Sequence, residues 1–272
     1  MLYYLIVELY ILKGATIINS FINNERPIIT TMLKETTIEG LLKEIKDALK
    51  VGTDAFGFQM ETITREFRAP EYLNQLFSAM QGKPCYITDY LRFNDNNSDR
   101  TDDELTQELL VGVDCGAKLV DIRGDLFDPN DIELTENPQA VAKQKAVIDE
   151  IHKRGGEVLM SSHLMRFADK DEVLKIALAQ QERGADIAKI VTSADSEEEL
   201  IQNFEILLEL KRTLKIEFLF LCNGTHCKIH RLLGPTISGG MYLSVLDTST
   251  NNSSQPKMSE AKKAILGAGY TL

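Results

Sequence analysis

The sequence has no excess of positive charge. Its 30 lysines and arginines stand against 41 aspartates and glutamates, which gives a formal net charge of −11. An acidic surface repels phosphate backbones and anionic lipid headgroups. The composition therefore disfavours nucleic acid and membrane surfaces as partners.

Cysteines are also scarce. Only Cys85, Cys115, Cys222 and Cys227 are present, their spacing shows no regular framework, and no secretory signal is recognisable. Disulfide frameworks belong to oxidising compartments, and they carry regular cysteine spacing. The cysteines are therefore predicted to be free thiols in the cytoplasm.

No apolar run is long enough to suggest a membrane span. The opening MLYYLIVELYIL is interrupted by Glu8 and has no basic leader, whereas a helix needs about 20 apolar residues to cross a bilayer. Residues 1–14 are predicted to be an apolar extension, a strand or helix packed on the domain, or a consequence of the chosen start codon. The following ATIINSFINNERPI predicts a hairpin.

From residue 27 onward, short β-rich runs alternate with longer amphipathic stretches, and the pattern repeats eight times. Alternation of this kind is typical of βα units around a parallel sheet. A doubly wound sheet usually has five or six strands and a Gly-rich turn after the first, and no such turn follows Met32. We therefore predict that residues 15–272 form a single (β/α)8-barrel domain. The predicted strands are Pro27–Met32, Thr53–Gln59, Pro84–Asp89, Lys118–Ile122, Glu157–Ser162, Asp186–Val191, Ile216–Cys222 and Gly240–Leu246.

Polar residues near the ends of these strands are candidates for chemistry, because the active site of such a barrel lies at the carboxyl ends of its strands. Asp121 ends one apolar run and His163 ends the next. Lys189 lies inside the apolar strand GADIAKIV, and Arg231 follows the seventh strand.

Lys189 is the most informative of these residues. Burial among apolar neighbours disfavours an ammonium group, and a lowered pKa leaves the neutral amine that attack on a ketone or aldehyde requires. The strand alone equally allows a lysine that reaches the barrel mouth or pairs with Asp121.

His163 lies one strand before this lysine. From there it is predicted to take a proton from the carbon beside an imine and to protonate a leaving hydroxyl, although a lone histidine at a strand end can also be structural. Asp121 either orients the His163 ring and holds its charge, or caps a turn.

At these residues the chain resembles the type I 3-dehydroquinate dehydratase family. The family has a strand ending in S-x-H and then a G-A-D-I-x-K-I strand, and here residues 161–163 read SSH and residues 184–190 read GADIAKI. A later S-R-L of the family corresponds to the segment around Arg231. The resemblance runs from about Ala15 to the C-terminus.

This resemblance implies a barrel, usually a homodimer, that needs no metal or organic cofactor. The implied reaction is dehydration of 3-dehydroquinate to 3-dehydroshikimate in the shikimate pathway, by a lyase. Lys189 would form a Schiff base with the C3 ketone, and His163 would remove the C2 proton and assist loss of the C1 hydroxyl. Arg231 would bind the substrate carboxylate.

The remaining substrate-binding predictions fall where the chain departs from the family. The family shows E-x-R in the second strand, and this chain has Gly57 and Gln59 at the two charged positions. Where the third strand usually offers an arginine, this chain has Tyr90, and Arg92 is a displaced substitute.

Two further departures come later. A carboxylate usually follows the Asp121 position by two residues, and here Arg123 stands there. The late loop usually reads S-A-P-G-Q; here it is SSQPK, in which Ser253 and Lys257 are predicted to contact substrate.

Three other interpretations stay open. The ligand types of Cys222, His226, Cys227 and His230 within nine residues suggest a metal site, but established zinc motifs bring two pairs together from a longer loop. The altered pocket also allows an aldolase or lyase that acts on another keto acid. A small-acid-binding relative without activity is the third.

Overall fold

The computed structural model describes residues 18–90, 95–250 and 254–272. Its strands are β1 (Ile28–Met32), β2 (Ala55–Gln59), β3 (Cys85–Thr88), β4 (Leu119–Arg123), β5 (Glu157–His163), β6 (Ile187–Ser193), β7 (Glu217–Asn223) and β8 (Met241–Ser244). All are parallel, in the order β7-β6-β5-β4-β3-β2-β1-β8.

In the described part of the chain, an α-helix follows each strand. The helices are α1 (Ile38–Lys50), α2 (Pro70–Ala79), α3 (Asp102–Asp114), α4 (Pro138–Lys153), α5 (Lys170–Glu182), α6 (Glu197–Thr213), α7 (Cys227–Ser238) and α8 (Met258–Gly267). Strand pairing and helix placement together form a nearly closed (β/α)8 barrel, which confirms the predicted fold class. None of these helices is both long and apolar enough to cross a membrane.

Local sequence explains where several helices begin. The side chains of Thr101, Asp169 and Ser196 each accept a hydrogen bond from a backbone N–H in the first turn of α3, α5 and α6. These caps satisfy amide groups that have no partner within a helix. These three helices therefore begin at residues whose side chains cap them.

The strands are buried on both faces, as their apolar sequences require. Inward side chains such as Leu159, Ile187 and Leu219 fill the barrel, while outward residues pack against the helices. Ile28, Leu119 and Ile187 of the inward cluster stand at the first positions of their strands, whereas the polar residues His163 and Asn223 stand at the last positions of theirs.

The segment before β1 closes the amino-terminal end of the barrel. Ile18 and Phe21 are buried with the inward residues of the strands. Ser20 Oγ and the Phe21 N–H donate to the Glu157 carboxylate at 2.5 and 3.0 Å. Residues 18–27 contain no strand, so the predicted hairpin is wrong over this range. The segment is held instead by the burial of Ile18 and Phe21 and by its hydrogen bonds to Glu157. Residues 1–17, including the predicted extension, lie outside the described residues.

Candidate active site

Lys189 projects into the barrel from β6 and is only 5% exposed. Its Nζ lies 3.1 Å from Asp121 Oδ2, 3.2 Å from the Tyr86 hydroxyl and 3.1 Å from the Tyr90 hydroxyl. An ammonium group carries three protons, and these three oxygens can accept them. The pairing with Asp121, which the sequence left open, is present.

Asp121 is the centre of this cluster. Tyr90 donates a hydrogen bond to it at 2.5 Å, Ser161 Oγ donates another at 2.5 Å, and the Tyr86 hydroxyl also donates to it. Burial raises the pKa of Asp121, but the Lys189 charge and these hydrogen bonds outweigh burial and hold the pKa below its usual value. The group is therefore a carboxylate with an ordered shell of donors.

The two phenols are neutral. Burial and the nearby Asp121 charge hold the pKa of Tyr86 and of Tyr90 well above the usual value for tyrosine. Each hydroxyl therefore keeps its proton at neutral pH and can donate it to Asp121.

His163 lies at the end of β5 and is held by Glu133, from the loop between β4 and α4. Glu133 Oε2 is 2.8 Å from His163 Nδ1 and 3.0 Å from the His163 backbone nitrogen. Burial raises the pKa of Glu133, but hydrogen bonds and charge from His163 outweigh it, so that the pKa lies below its usual value. The structure places Glu133, and not Asp121, at the histidine ring. Asp121 pairs with Leu159 in the sheet, four residues before His163, and so lies deeper in the barrel.

Tyr90 connects the lysine cluster to the histidine. Its ring lies 5.7 Å from the His163 ring, nearly perpendicular to it, while its hydroxyl contacts Lys189 and Asp121. The three side chains predicted to be catalytic therefore lie around Tyr90, which contacts each of them.

Arg231 lies on α7 beside the end of β7. Its Nε donates to the Cys222 carbonyl at 2.8 Å and its Nη2 to Asn223 Oδ1 at 2.9 Å. Among the residues that the structure describes, no carboxylate forms an ion pair with this buried guanidinium. A buried cation held only by neutral groups is suited to an anionic ligand.

Comparison with known proteins assigns the chain to a family. A family model described as type I 3-dehydroquinase matches residues 29–266. The chain belongs to the type I 3-dehydroquinase family. This membership confirms the predicted family and, with it, the predicted lyase class.

Individual relatives agree with the family match. A 3-dehydroquinate dehydratase of Methanococcoides burtonii is 25% identical over 252 residues, which cover 91% of this chain and 97% of that protein. A type I 3-dehydroquinate dehydratase structure from Clostridium difficile has a TM-score of 0.77 at 17% identity, covering 93% and 96% of the two chains. A 3-dehydroquinate dehydratase structure from Geobacillus kaustophilus has a TM-score of 0.74 at 16% identity, covering 90% of this chain and 92% of that chain. These structures share the fold.

Gly57 and Gln59 lie on β2, beside the end of β1. A Cβ atom on Gly57 would lie 2.1 Å from Met32 Sδ, so the thioether fills the space of the missing side chain. Gln59 accepts a hydrogen bond from Lys34 Nζ at 3.2 Å and donates one to Glu61 at 3.3 Å. The resemblance implies charged groups at positions 57 and 59. Here the Met32 thioether fills the space beside Gly57, and Gln59 presents an amide.

The other predicted substrate-binding residues, and Arg123, where the chain departs from the family pattern, differ in their placement. Lys257 precedes α8, and its ammonium group donates to the Ser249 carbonyl. Arg123 is buried, with its Nε 3.2 Å from Asp125 Oδ1 and an Nη 3.6 Å from Asp102 Oδ1. Within the described ranges, neither cation forms a hydrogen bond or ion pair with the Lys189 cluster. Arg92 and Ser253 lie outside the described residues.

The four metal-type ligands around β7 do not form a metal-binding group among the residues that the structure describes. His230 is buried between the rings of Phe204 and Phe220, with centroid distances of 5.2 and 5.3 Å. Over residues 18–90, 95–250 and 254–272, no three histidine, cysteine, aspartate or glutamate side chains are placed to hold a metal ion. His230 therefore packs in the hydrophobic layer between β7 and the helices α6 and α7.

Glu133 and Tyr86 were not predicted to be site residues. Glu133 is one of five carboxylates in the segment GDLFDPNDIELTEN, and nothing in that segment distinguishes it. Tyr86 reads as an ordinary apolar residue of the third strand. Tyr86 contacts Asp121 and Lys189 only in the folded structure. The three residues are far apart in the sequence, so no local pattern predicts their contact.

Proposed function

We propose that this chain dehydrates 3-dehydroquinate to 3-dehydroshikimate through a Schiff base at Lys189, with His163 as the acid and base. The observation that carries the proposal is the placement of Lys189 against Asp121, with Tyr90 joining that pair to His163. Family membership supplies the substrate and reaction class.

Asp121 suits the imine intermediate as well as the resting lysine. The amine nitrogen attacks the ketone carbon, the ketone oxygen leaves as water, and a protonated imine remains at Nζ. That imine carries a positive charge, as the ammonium did, so Asp121 at 3.1 Å is an appropriate counterion. The cation withdraws electrons from the adjacent carbon and lowers the barrier to loss of its proton.

His163 acts after the imine forms. Its Nε2 removes the proton beside the imine carbon, and the electron pair moves toward nitrogen to give an enamine. The enamine then expels the hydroxyl group two carbons from the imine carbon, and His163 returns its proton to that oxygen, so that water leaves. Hydrolysis of the imine releases the enone and restores Lys189. Glu133 keeps Nδ1 protonated and thereby leaves Nε2 as the base.

Arg231 is the proposed carboxylate-binding residue. The guanidinium has its Nε and one Nη held by neutral oxygens of the β7 end. These contacts fix the guanidinium plane, and a fixed plane favours a carboxylate over a less directional anion. Gln59, Lys257, Arg92 and Ser253 stay predictions as further substrate contacts.

The methionine at the β1–β2 side favours a second candidate, a Schiff-base lyase or aldolase for a keto acid with fewer hydroxyl groups. A hydroxyl placed against Met32 Sδ would lack a strong hydrogen-bond partner there. A loss of activity with retention of acid binding is the remaining alternative, and the same experiment distinguishes all three.

The test is borohydride trapping with 3-dehydroquinate and with a panel of small keto acids. The expected result is a mass increase equal to the reduced ligand at Lys189 with 3-dehydroquinate, together with enone absorbance in an untrapped assay. Lys189→Met should give neither. Trapping by other keto acids without enone formation from 3-dehydroquinate would favour the second candidate, and binding without trapping by any compound would contradict the enzyme proposal.

We propose that the protein acts as a cytoplasmic homodimer. The four cysteines are unpaired thiols in the structure, which supports a reducing compartment. Dimerisation is supported by the family resemblance alone. Sedimentation velocity at micromolar concentration measures the assembly state, and a monomer would contradict the proposal.

A further inference from the structure

The two tyrosines approach Lys189 from opposite ends of the barrel. The Tyr86 ring packs edge-on against Phe21, with centroids 6.5 Å apart, in the segment that closes the amino-terminal end. The Tyr90 ring packs against His163, at the carboxyl end. Tyr86 therefore contacts Nζ from the amino-terminal side, and Tyr90 contacts it from the carboxyl-terminal side, where barrel enzymes bind their substrates.

Before an imine can form, the Lys189 ammonium group must lose a proton. Nucleophilic attack needs a neutral amine whose lone pair points at the carbonyl carbon. Asp121, Tyr86 and Tyr90 accept from the three ammonium protons in the resting site. The proton directed at Tyr90 is the one on the substrate side, so its removal exposes the lone pair in the required direction.

We propose that Tyr90 is a catalytic residue whose hydroxyl transfers protons between Lys189 Nζ and the substrate carbonyl oxygen during imine formation. This inference rests on the proposed Schiff-base function and adds a residue to it. Its hydroxyl contacts a reacting atom, at 3.1 Å from Nζ.

The proton balance closes without another reactant. The ammonium gives one proton to the Tyr90 oxygen as Nζ bonds to the carbonyl carbon, and Tyr90 gives its own proton to the carbonyl oxygen, which forms a carbinolamine. A second transfer along the same path, from nitrogen to the hydroxyl, releases water, and nitrogen keeps its last proton as the C=N bond forms. The products are therefore one iminium and one water from one ketone and one ammonium.

Two features of Tyr90 suit this role. Its pKa is held well above the usual value, so the phenol is protonated and has a proton to give. Its hydroxyl donates to Asp121 at 2.5 Å in the resting site and turns to the carbonyl oxygen when the ketone binds, while the negative charge of Asp121 disfavours a lasting phenolate. Tyr86 shares both features but lies on the side away from the substrate, and it therefore provides a matched control.

The experiment compares Tyr90→Phe with Tyr86→Phe. Each change removes one hydroxyl from Lys189 and Asp121 and leaves the ring. Two rates are measured with 3-dehydroquinate and the keto acid panel: mass adduct formation under rapid borohydride quench, and exchange of ¹⁸O from the ketone into water. Both report imine formation and neither requires dehydration.

We expect Tyr90→Phe to slow both rates by about 100-fold or more, as loss of a general acid–base does, and Tyr86→Phe to slow them less than about 10-fold. Thermal unfolding checks that both variants fold. In the wild type, a normal solvent deuterium isotope effect on adduct formation is also expected, and this test needs no variant.

The outcomes separate the two proposals. Adduct formation in Tyr90→Phe at the wild-type rate, or equal losses in both variants, would overturn the role of Tyr90 and leave the Schiff-base function intact. If the wild type forms no adduct with any ketone, both proposals fall.

Discussion

Glu133 holds His163 by two hydrogen bonds, one to ring Nδ1 at 2.8 Å and one to the backbone nitrogen at 3.0 Å. An ionised carboxylate only accepts hydrogen bonds, so the ring proton resides on Nδ1. Glu133 has a φ of +48° and is 2% exposed. A buried, non-glycine residue in the left-handed region is uncommon and is often found where a functional group must be held.

The first prediction concerns this carboxylate. Glu133→Gln should lower kcat for dehydration by about 10-fold to 100-fold, because the amide can also present its N–H groups to the ring and no longer selects one tautomer. Glu136→Gln is the control, since Glu136 lies in the same loop but pairs with Lys175 at the surface. Steady-state rates and ¹⁵N shifts of the imidazole measure the effect. Equal activity in both variants would remove Glu133 from the mechanism.

A second prediction concerns the stability of the Lys189–Asp121 pair. Asp121→Asn should lower the free energy of unfolding by about 3 kcal/mol or more, because it leaves a buried ammonium group without its counterion. Lys189→Met should leave Asp121 unpaired in the same way. In the double variant no isolated charge remains, so its loss should be much smaller than the sum of the single losses. Urea unfolding measures all four proteins, and additive losses would show that the two groups do not interact.

The third prediction is a pH dependence at His230. Burial, followed by the neighbouring Arg231 charge, lowers the pKa of His230 to about 4. Between pH 6.5 and 4, the unfolded chain takes up a proton at this site that the folded protein does not, so stability is lost as the pH falls. The contribution between pH 7.5 and pH 5 is about 2 kcal/mol.

His230→Leu tests this prediction. The variant should lose less unfolding free energy than the wild type on acidification over that range, since the apolar ring layer of Phe204 and Phe220 accepts a leucine. Urea unfolding at pH 7.5 and pH 5 provides the comparison. Parallel losses in the two proteins would show that His230 takes up its proton equally well in the folded state.

Arg231 provides the fourth prediction. Arg231→Lys keeps the charge but loses the planar fork, so KM should rise by about 10-fold to 100-fold, equivalent to the loss of one charge-assisted hydrogen bond. Arg166→Lys is the control, because Arg166 is exposed and paired with Glu172. An unchanged KM in Arg231→Lys would show that the carboxylate binds elsewhere.

The sequence predicts the barrel well, because eight buried strands and eight amphipathic helices each have a local pattern. It also places Lys189, His163 and Asp121 at one end, since parallel strands end together. The partner of each side chain was harder to predict. Whether Asp121 reaches the lysine or the histidine depends on the sheet register, which pairs it with Leu159.

The loops were less predictable for a physical reason. Glu133 reaches His163 from an irregular segment whose course is set by close contacts, such as that between Gly124 and the Glu133 carbonyl, which leave no room for a side chain at residue 124. Contacts of this kind produce no periodic pattern in the sequence. The packing of Met32 against Gly57 likewise depends on how two strands pair, and the sequence of either strand alone does not predict it.

The hydrogen bonds of Ser20 and Phe21 to Glu157 also affect the surroundings of Lys189. Phe21 packs against the ring of Tyr86, whose hydroxyl contacts Lys189, so residues that precede the first strand cover the amino-terminal side of the Lys189 cluster. A chain shortened to Pro27 would retain all the proposed catalytic groups but lose this cover, and we expect water at that side to weaken the Lys189–Asp121 charge pairing.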